Sequence, residues 1–202
     1  HFDTDSLRSE RKWLLGINSN LPNDINVRWV SMVDRNFHAR FSAISRTYRY
    51  VIFNNLARSS LNRDFSWWIY QDLDVEKMQE GANYLLGEHD FSALRSSGCQ
   101  SKTPIRHILE LKVWRKDSWI FISVTANAFL QHMVRNITGN LVSVGDGSND
   151  PSWISALLDS GERTSGGIAA PSRGLTLFNV NYANPYTNII GNGDSSDIYV
   201  YD

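Results

Sequence analysis

Between Phe129 and Val144 the apolar residues Leu130, Met133, Val134, Ile137, Leu141 and Val144 recur at helical spacing. A stripe of that length has to be covered, so the chain must supply a second apolar surface to lie against it. Alternating segments supply one. Thr47 to Phe53 places Tyr48, Tyr50 and Ile52 on one face of a strand and Arg49, Val51 and Phe53 on the other. Ile108 to Trp114 and Trp119 to Val124 read as a hairpin turning through Arg115-Lys116-Asp117-Ser118. Further strands are expected at Ile25 to Val33, Phe65 to Tyr70 and Thr176 to Tyr182. Helices are expected at Leu7 to Ile17, capped by Asp5 or Ser6; at Val75 to Leu86, capped by Asp74 and ended by Gly87; and at Ser152 to Leu158 after Pro151. The repeated strand–helix–strand rhythm of a doubly wound sheet is missing. The pattern therefore predicts an α+β fold, with helices packed on one face of a mostly antiparallel sheet.

The chain has 202 residues, 42% of them hydrophobic, enough for one sizeable core or a core and part of a second. Only the tail from Asn184, rich in Asn, Gly, Ser and Asp, has a composition that predicts a loose segment. Cys99 is the single cysteine, which excludes an intrachain disulfide and makes a cytoplasmic setting the natural expectation. No run approaches the ~20 apolar residues that a membrane helix requires, so no membrane partner is expected. His1-Phe2-Asp3-Thr4-Asp5 has neither the basic start nor the apolar run of a secretory leader, and its abrupt start is what a cropped chain would show.

The net charge of −1 hides a segregation of charge. Arg35 to Arg63 holds six arginines and no acid, and Phe91 to Leu109 holds Arg95, Lys102 and Arg106 without one. Between them, Asp72 to Asp90 carries six acids against Lys77 alone. Such a division suits a basic face that meets a polyanion, and equally a solvated arginine surface paired with an acidic helix. Arg46-Thr47-Tyr48-Arg49-Tyr50 interleaves cations with rings that could stack on bases, though a half-buried strand with solvated arginines looks the same. Opposite the apolar stripe of the long helix lie His132, Arg135, Asn136, Gly139 and Asn140. An arginine there suits an ion pair or a phosphate, or is an ordinary surface residue. His132 has no second ligand at metal spacing. The nucleophile elbow, the phosphate-binding loop before a lysine and the HExxH motif are all missing, and Ser165-Gly166-Gly167 reads as a plain loop.

Several ordered motifs resemble the A-type tRNA pseudouridine synthases, in their bacterial form, over nearly the whole chain. They are His1-Phe2-Asp3-Thr4; Phe37-His38-Ala39-Arg40-Phe41-Ser42-Ala43 followed by Tyr48-Arg49-Tyr50; and Leu86-Gly87-Glu88-His89-Asp90-Phe91-Ser92. Cys99-Gln100-Ser101-Lys102-Thr103-Pro104-Ile105-Arg106 follows, then Ala126 to Asn136, the most specific, and last Ala169-Ala170-Pro171 with Gly174-Leu175. The resemblance implies a pseudouridine synthase catalytic domain over residues 37–183, a remnant of an N-terminal α/β domain over 1–36, and a tail over 184–202. It implies isomerisation of uridine in the anticodon arm of tRNA, a homodimer, and no cofactor or metal.

Carried over residue by residue, the resemblance makes Tyr48 the ring that stacks on the target base and is placed for proton transfer. Arg135 becomes the partner of the catalytic aspartate, and Leu175 the apolar residue against the flipped uracil. His132, Asn136, Arg46, Arg49, Lys102 and Arg106 would contact the RNA. One departure matters. The family carries its aspartate in a Gly-Arg-Thr-Asp loop that none of the 202 residues reproduces; Asp3, Asp5 and Asp34 do not match it. The expectation is an enzyme whose 202-residue portion is inactive by itself, against the alternative of a non-catalytic RNA-binding module.

Overall fold

The computed structural model describes residues 1–162 and 166–187. Ser165 and the tail beyond residue 187 lie outside the described residues, so the loop and tail readings are followed only in part. The chain forms two compact units, one from His1–Ile44 with the chain from Asn181 onward, the other from Ser45–Val180.

The first unit contains one helix, α1 (Glu10–Asn18), which starts later than the pattern predicts because Ser9 is its N-cap, accepting from the Lys12 N–H. Leu7 is fully exposed before it, and α1 buries no residue. Ile25 to Val33, expected as a strand, joins no sheet among the described residues. Alternation gives a strand only where a neighbouring strand takes its backbone hydrogen bonds. Here side chains take several of them. Asn18 Oδ1 accepts from Val27 N at 2.7 Å while Asn18 Nδ2 donates to Val27 O at 2.8 Å, and Glu10 Oε1 accepts from Met32 N.

The second unit is an α+β fold built on a mostly antiparallel sheet. Its strands are β1 (Ala43–Asn54), β2 (Trp67–Ile69), β3 (Gly87–Asp90), β4 (Ile105–Lys116), β5 (Trp119–Ala126) and β6 (Leu175–Tyr182), of which residues 43–44 and 181–182 are assigned to the first unit. The order is β2-β1-β5-β4-β3, and β6 also pairs with β1. β1 and β2 run parallel; β1/β5, β4/β5 and β3/β4 are antiparallel. The hairpin turns at Asp117, which takes a left-handed φ of 52°, and a register shift between Ile108 and Glu110 pushes Leu109 out of the ladder.

Three helices share one core with the sheet: α2 (Val75–Asn83), α3 (Met133–Gly145) and α4 (Trp153–Ser160). Tyr50, Ile52, Ile120, Ile122 and Val124 meet Met78, Ala82, Ile137, Leu141 and Ile154 there. Asp74 caps α2 as expected, its carboxylate accepting from Lys77 N at 3.0 Å. The helix ends at Asn83, not Leu86, and Gly87, at φ +92°, opens the short strand β3 that alternation did not reveal. α3 also starts later than Phe129. His132 sits at φ 62°, a left-handed conformation that a right-handed helix cannot contain. Among the described residues no helix is long and apolar enough to cross a membrane.

Candidate functional site

Tyr50 lies at the centre of the region that gathers the candidate residues. It is fully buried on β1, and its neighbour two residues back, Tyr48, projects from the same side of the strand by the period-2 rule. Tyr48 is half-buried and meets Phe129 edge to face, ring centroids 5.0 Å apart. That geometry fixes one edge of the Tyr48 ring. Phe129 lies in the approach to α3, just before the left-handed residue His132.

On the other side of Tyr50 runs a strap from Gly166 to Gly174, which lies along α3. Gly139 permits the contact, since a Cβ there would overlap the Ile168 carbonyl. Asn140 Oδ1 accepts from Gly167 N at 2.6 Å, and Asn140 Nδ2 donates to Asn136 O at 2.8 Å. Ala170 is tied twice to Arg135: its N–H donates to Arg135 O at 3.0 Å, and its carbonyl accepts from Arg135 Nε at 2.6 Å. The next carbonyl, that of Pro171, accepts from Tyr50 Oη at 2.7 Å. Gly174 then passes so close to the Tyr50 ring that a Cβ on it would stand 2.7 Å away. Leu175 follows directly, half-buried at the start of β6 and packed on the core.

Arg135 is half-buried in the first turn of α3. Only its Nε is engaged; among the described residues its two Nη groups have no hydrogen-bond partner. The end of the guanidinium that makes a two-pronged contact with a carboxylate or phosphate is thus left over, while the inner nitrogen fixes its direction. Burial drives the Tyr50 phenol above the ordinary tyrosine range, and the nearby guanidiniums of Arg135 and Arg173 oppose that shift without cancelling it. The hydroxyl therefore stays protonated and donates.

The remaining candidates are distributed differently. Asn136, expected to face outward with Arg135, is turned into the core, where its Nδ2 donates to Leu94 O at 2.7 Å. The reason is that α3 is covered on more than its apolar stripe, and a buried amide must find partners. Arg106 is also buried; its Nη1 donates to Thr103 O and Ile105 O, and its Nη2 to Ser101 Oγ. Desolvation lowers its pKa from the usual arginine value. In the same loop, Arg95 Nη2 donates to Cys99 O and Ser101 O. The Cys99 thiol is held below its ordinary range, first by the Gln131 N–H that reaches Sγ at 3.4 Å.

Arg49 occupies the face of β1 opposite Tyr48, its guanidinium 4.0 Å from the Phe178 ring centroid and 5.4 Å from that of Trp114. Arg46 Nη1 donates to Asn127 O at 2.8 Å, at the mouth of the approach to α3. Lys102 and His132 are exposed. The fold therefore groups Tyr48, Arg135 and Leu175 around Tyr50 and the strap, and commits Asn136 and Arg106 to the framework. Sequence reading passed over Tyr50 and Ala170 as working parts. The i, i+2 pair of tyrosines on one strand face, inside the Tyr48-Arg49-Tyr50 motif, was the signal that could have pointed to Tyr50.

Comparison with known proteins matches residues 82–183 to the family model described as tRNA pseudouridine synthase. The tRNA pseudouridine synthase A of Coxiella burnetii (strain Dugway 5J108-111) is 47% identical over 182 residues, covering 90% of this chain and 70% of the relative. Those of Methylococcus capsulatus (strain ATCC 33009 / NCIMB 11132 / Bath) and Pseudoalteromonas atlantica (strain T6c / ATCC BAA-1087) are each 50% identical over 90% of this chain, covering 67% and 69% of the relatives.

Proposed function

Since the chain belongs to the tRNA pseudouridine synthase A family, whose members are isomerases acting on tRNA uridines, we propose that its substrate is the anticodon arm of tRNA. In that reaction the bond from C1′ to N1 breaks and a bond from C1′ to C5 forms. N1 regains a proton and the hydrogen on C5 is released to solvent. The target base has to leave the stack before any of this can happen.

Tyr48 stacks on the extruded uracil, Leu175 packs against it, and the free Nη edge of Arg135 pairs with the aspartate that carries the covalent step. The single observation behind this reading is the state of Arg135: one nitrogen anchored to Ala170 O, the other two presented. A guanidinium held in that way keeps a carboxylate ionised and aimed. Arg46, Lys102 and His132 are exposed or half-exposed cations or donors suited to phosphates. The enzyme acts in the cytoplasm and as a homodimer, a reading supported by the family resemblance.

No aspartate of the 202 residues stands in the Gly-Arg-Thr-Asp setting, so the 202-residue chain binds tRNA without turning it over. The test is tritium release from tRNA labelled at C5 of uridine. A version extended upstream to include the aspartate loop releases tritium, and the 202-residue chain does not. Release by the shorter chain would refute the missing-aspartate reading. Salt-sensitive binding without release by either version would identify an RNA-binding module instead.

A further inference from the structure

The strap between Gly166 and Gly174 is pinned at three places, and only one of the pins touches a residue assigned to the chemistry. At its upstream end Asn140, 2% exposed, accepts from Gly167 N, and Gly139 leaves room for Ile168. In the middle, the consecutive carbonyls of Ala170 and Pro171 are held by Arg135 Nε and Tyr50 Oη. Downstream, Gly174 lies against the Tyr50 ring and Val51 O. Tyr50 thus grips the strap both before and within its last turn, and its ring is locked by complete burial.

A hydrogen bond aims a guanidinium only as well as its acceptor is fixed. The acceptor here is a loop carbonyl, which without further support would move with the loop. We propose that Tyr50 is a positioning residue for the isomerisation: its hydroxyl holds Pro171 O, which fixes the adjacent Ala170 carbonyl that aims Arg135. The inference rests on the assignment of Arg135 given above. It adds a residue that touches neither substrate nor aspartate and acts through the strap on the guanidinium of Arg135. The elevated pKa of the phenol agrees with a permanent donor across the working pH range.

Tyr50→Phe removes the hydroxyl and keeps the ring, so the core remains filled. In the protein extended to include the aspartate loop, kcat per folded molecule should fall about tenfold to a hundredfold, as a displaced guanidinium would cause, while KM for tRNA stays at the parent value. A merely structural role would lower the folded fraction and leave kcat per folded molecule unchanged. The decisive measurement is a double-mutant cycle in single-turnover tritium release with Arg135→Lys. Because Tyr50 acts through Arg135, adding Tyr50→Phe to Arg135→Lys should produce no further loss. Parent kcat in Tyr50→Phe, or losses that multiply in the double variant, would overturn the proposal. Full turnover by Arg135→Lys would instead overturn the assignment of Arg135 on which it rests.

Discussion

The loop from Arg95 to Arg106 and the strap from Gly166 to Gly174 both tie arginines to main-chain oxygens, but they leave different groups over. In the loop, Arg95 spends Nη2 on two carbonyls, and Arg106 spends both its Nη groups on Thr103 O, Ile105 O and Ser101 Oγ. In the strap, Arg135 spends its Nε alone. A guanidinium has five donor hydrogens in a rigid fork, so what it can still do depends on which prongs the fold has consumed. Arg106 has become a strut inside its own loop. Arg135 is braced at the base and open at the tip. Charge counting in the sequence ranks the two alike.

The largest effect expected from this contrast is on turnover. Arg135→Ala in the aspartate-bearing protein should reduce kcat by about a hundredfold to a thousandfold or more, the scale of losing a preorganised charged donor. Its melting temperature should stay close to the parent's, because the side chain is half-exposed and makes one hydrogen bond of its own. Turnover at the parent rate would place the free prongs of Arg135 outside the chemistry. Arg106→Ala should invert the outcome. Losing the bonds of a buried cation should lower stability by about 2 kcal/mol, read as a shift in the denaturant midpoint, with kcat per folded molecule unchanged. A selective loss of tRNA affinity at full stability would return Arg106 to the RNA-contact role that its sequence context suggests.

The same contrast explains how far the sequence could be read. The α+β class, the hairpin, the start of α2 at Asp74 and the core stripe of α3 were legible because each is written in local periodicity or in one capping side chain. Ile25 to Val33 has equally good alternation and forms no ladder among the described residues, since a strand needs a partner that alternation does not specify. Asn136 and Asn140 lie off the apolar stripe and were read as facing outward. The strap covers Asn140 and the segment at Leu94 covers Asn136, so both amides are buried. A helix with two covers cannot be recognised from a one-stripe pattern, because its second cover is a loop with no periodicity of its own. Tyr48, Arg135 and Leu175 were named through motif resemblance; the grouping around Tyr50 needed the fold. Arg49 illustrates the converse: its strand position was read correctly, and that position carries it to the face opposite Tyr48, between Phe178 and Trp114.

The smallest effect expected separates the two segments by the sign of their response to alkali. Tyr50 has a folded-state pKa above its ordinary value of 10.0 because burial disfavours the phenolate. The folded protein therefore holds that proton more tightly than the unfolded chain does. The associated stability is complete below the ordinary tyrosine value and is lost as pH climbs above it, by up to about 1.4 kcal/mol per pH unit. Cys99 runs the other way. The Gln131 N–H favours its thiolate, so its contribution is present above the ordinary thiol value of 9.0 and is lost as pH falls through the lowered one. Denaturant midpoints followed from neutral pH to beyond 10.0 should thus fall less steeply at the alkaline end in Tyr50→Phe than in the parent. In Cys99→Ser the gain on approaching 9.0 from below should disappear. An alkaline slope in Tyr50→Phe equal to the parent's would mean that the folded phenol ionises at its ordinary value of 10.0, contradicting the burial that raises it.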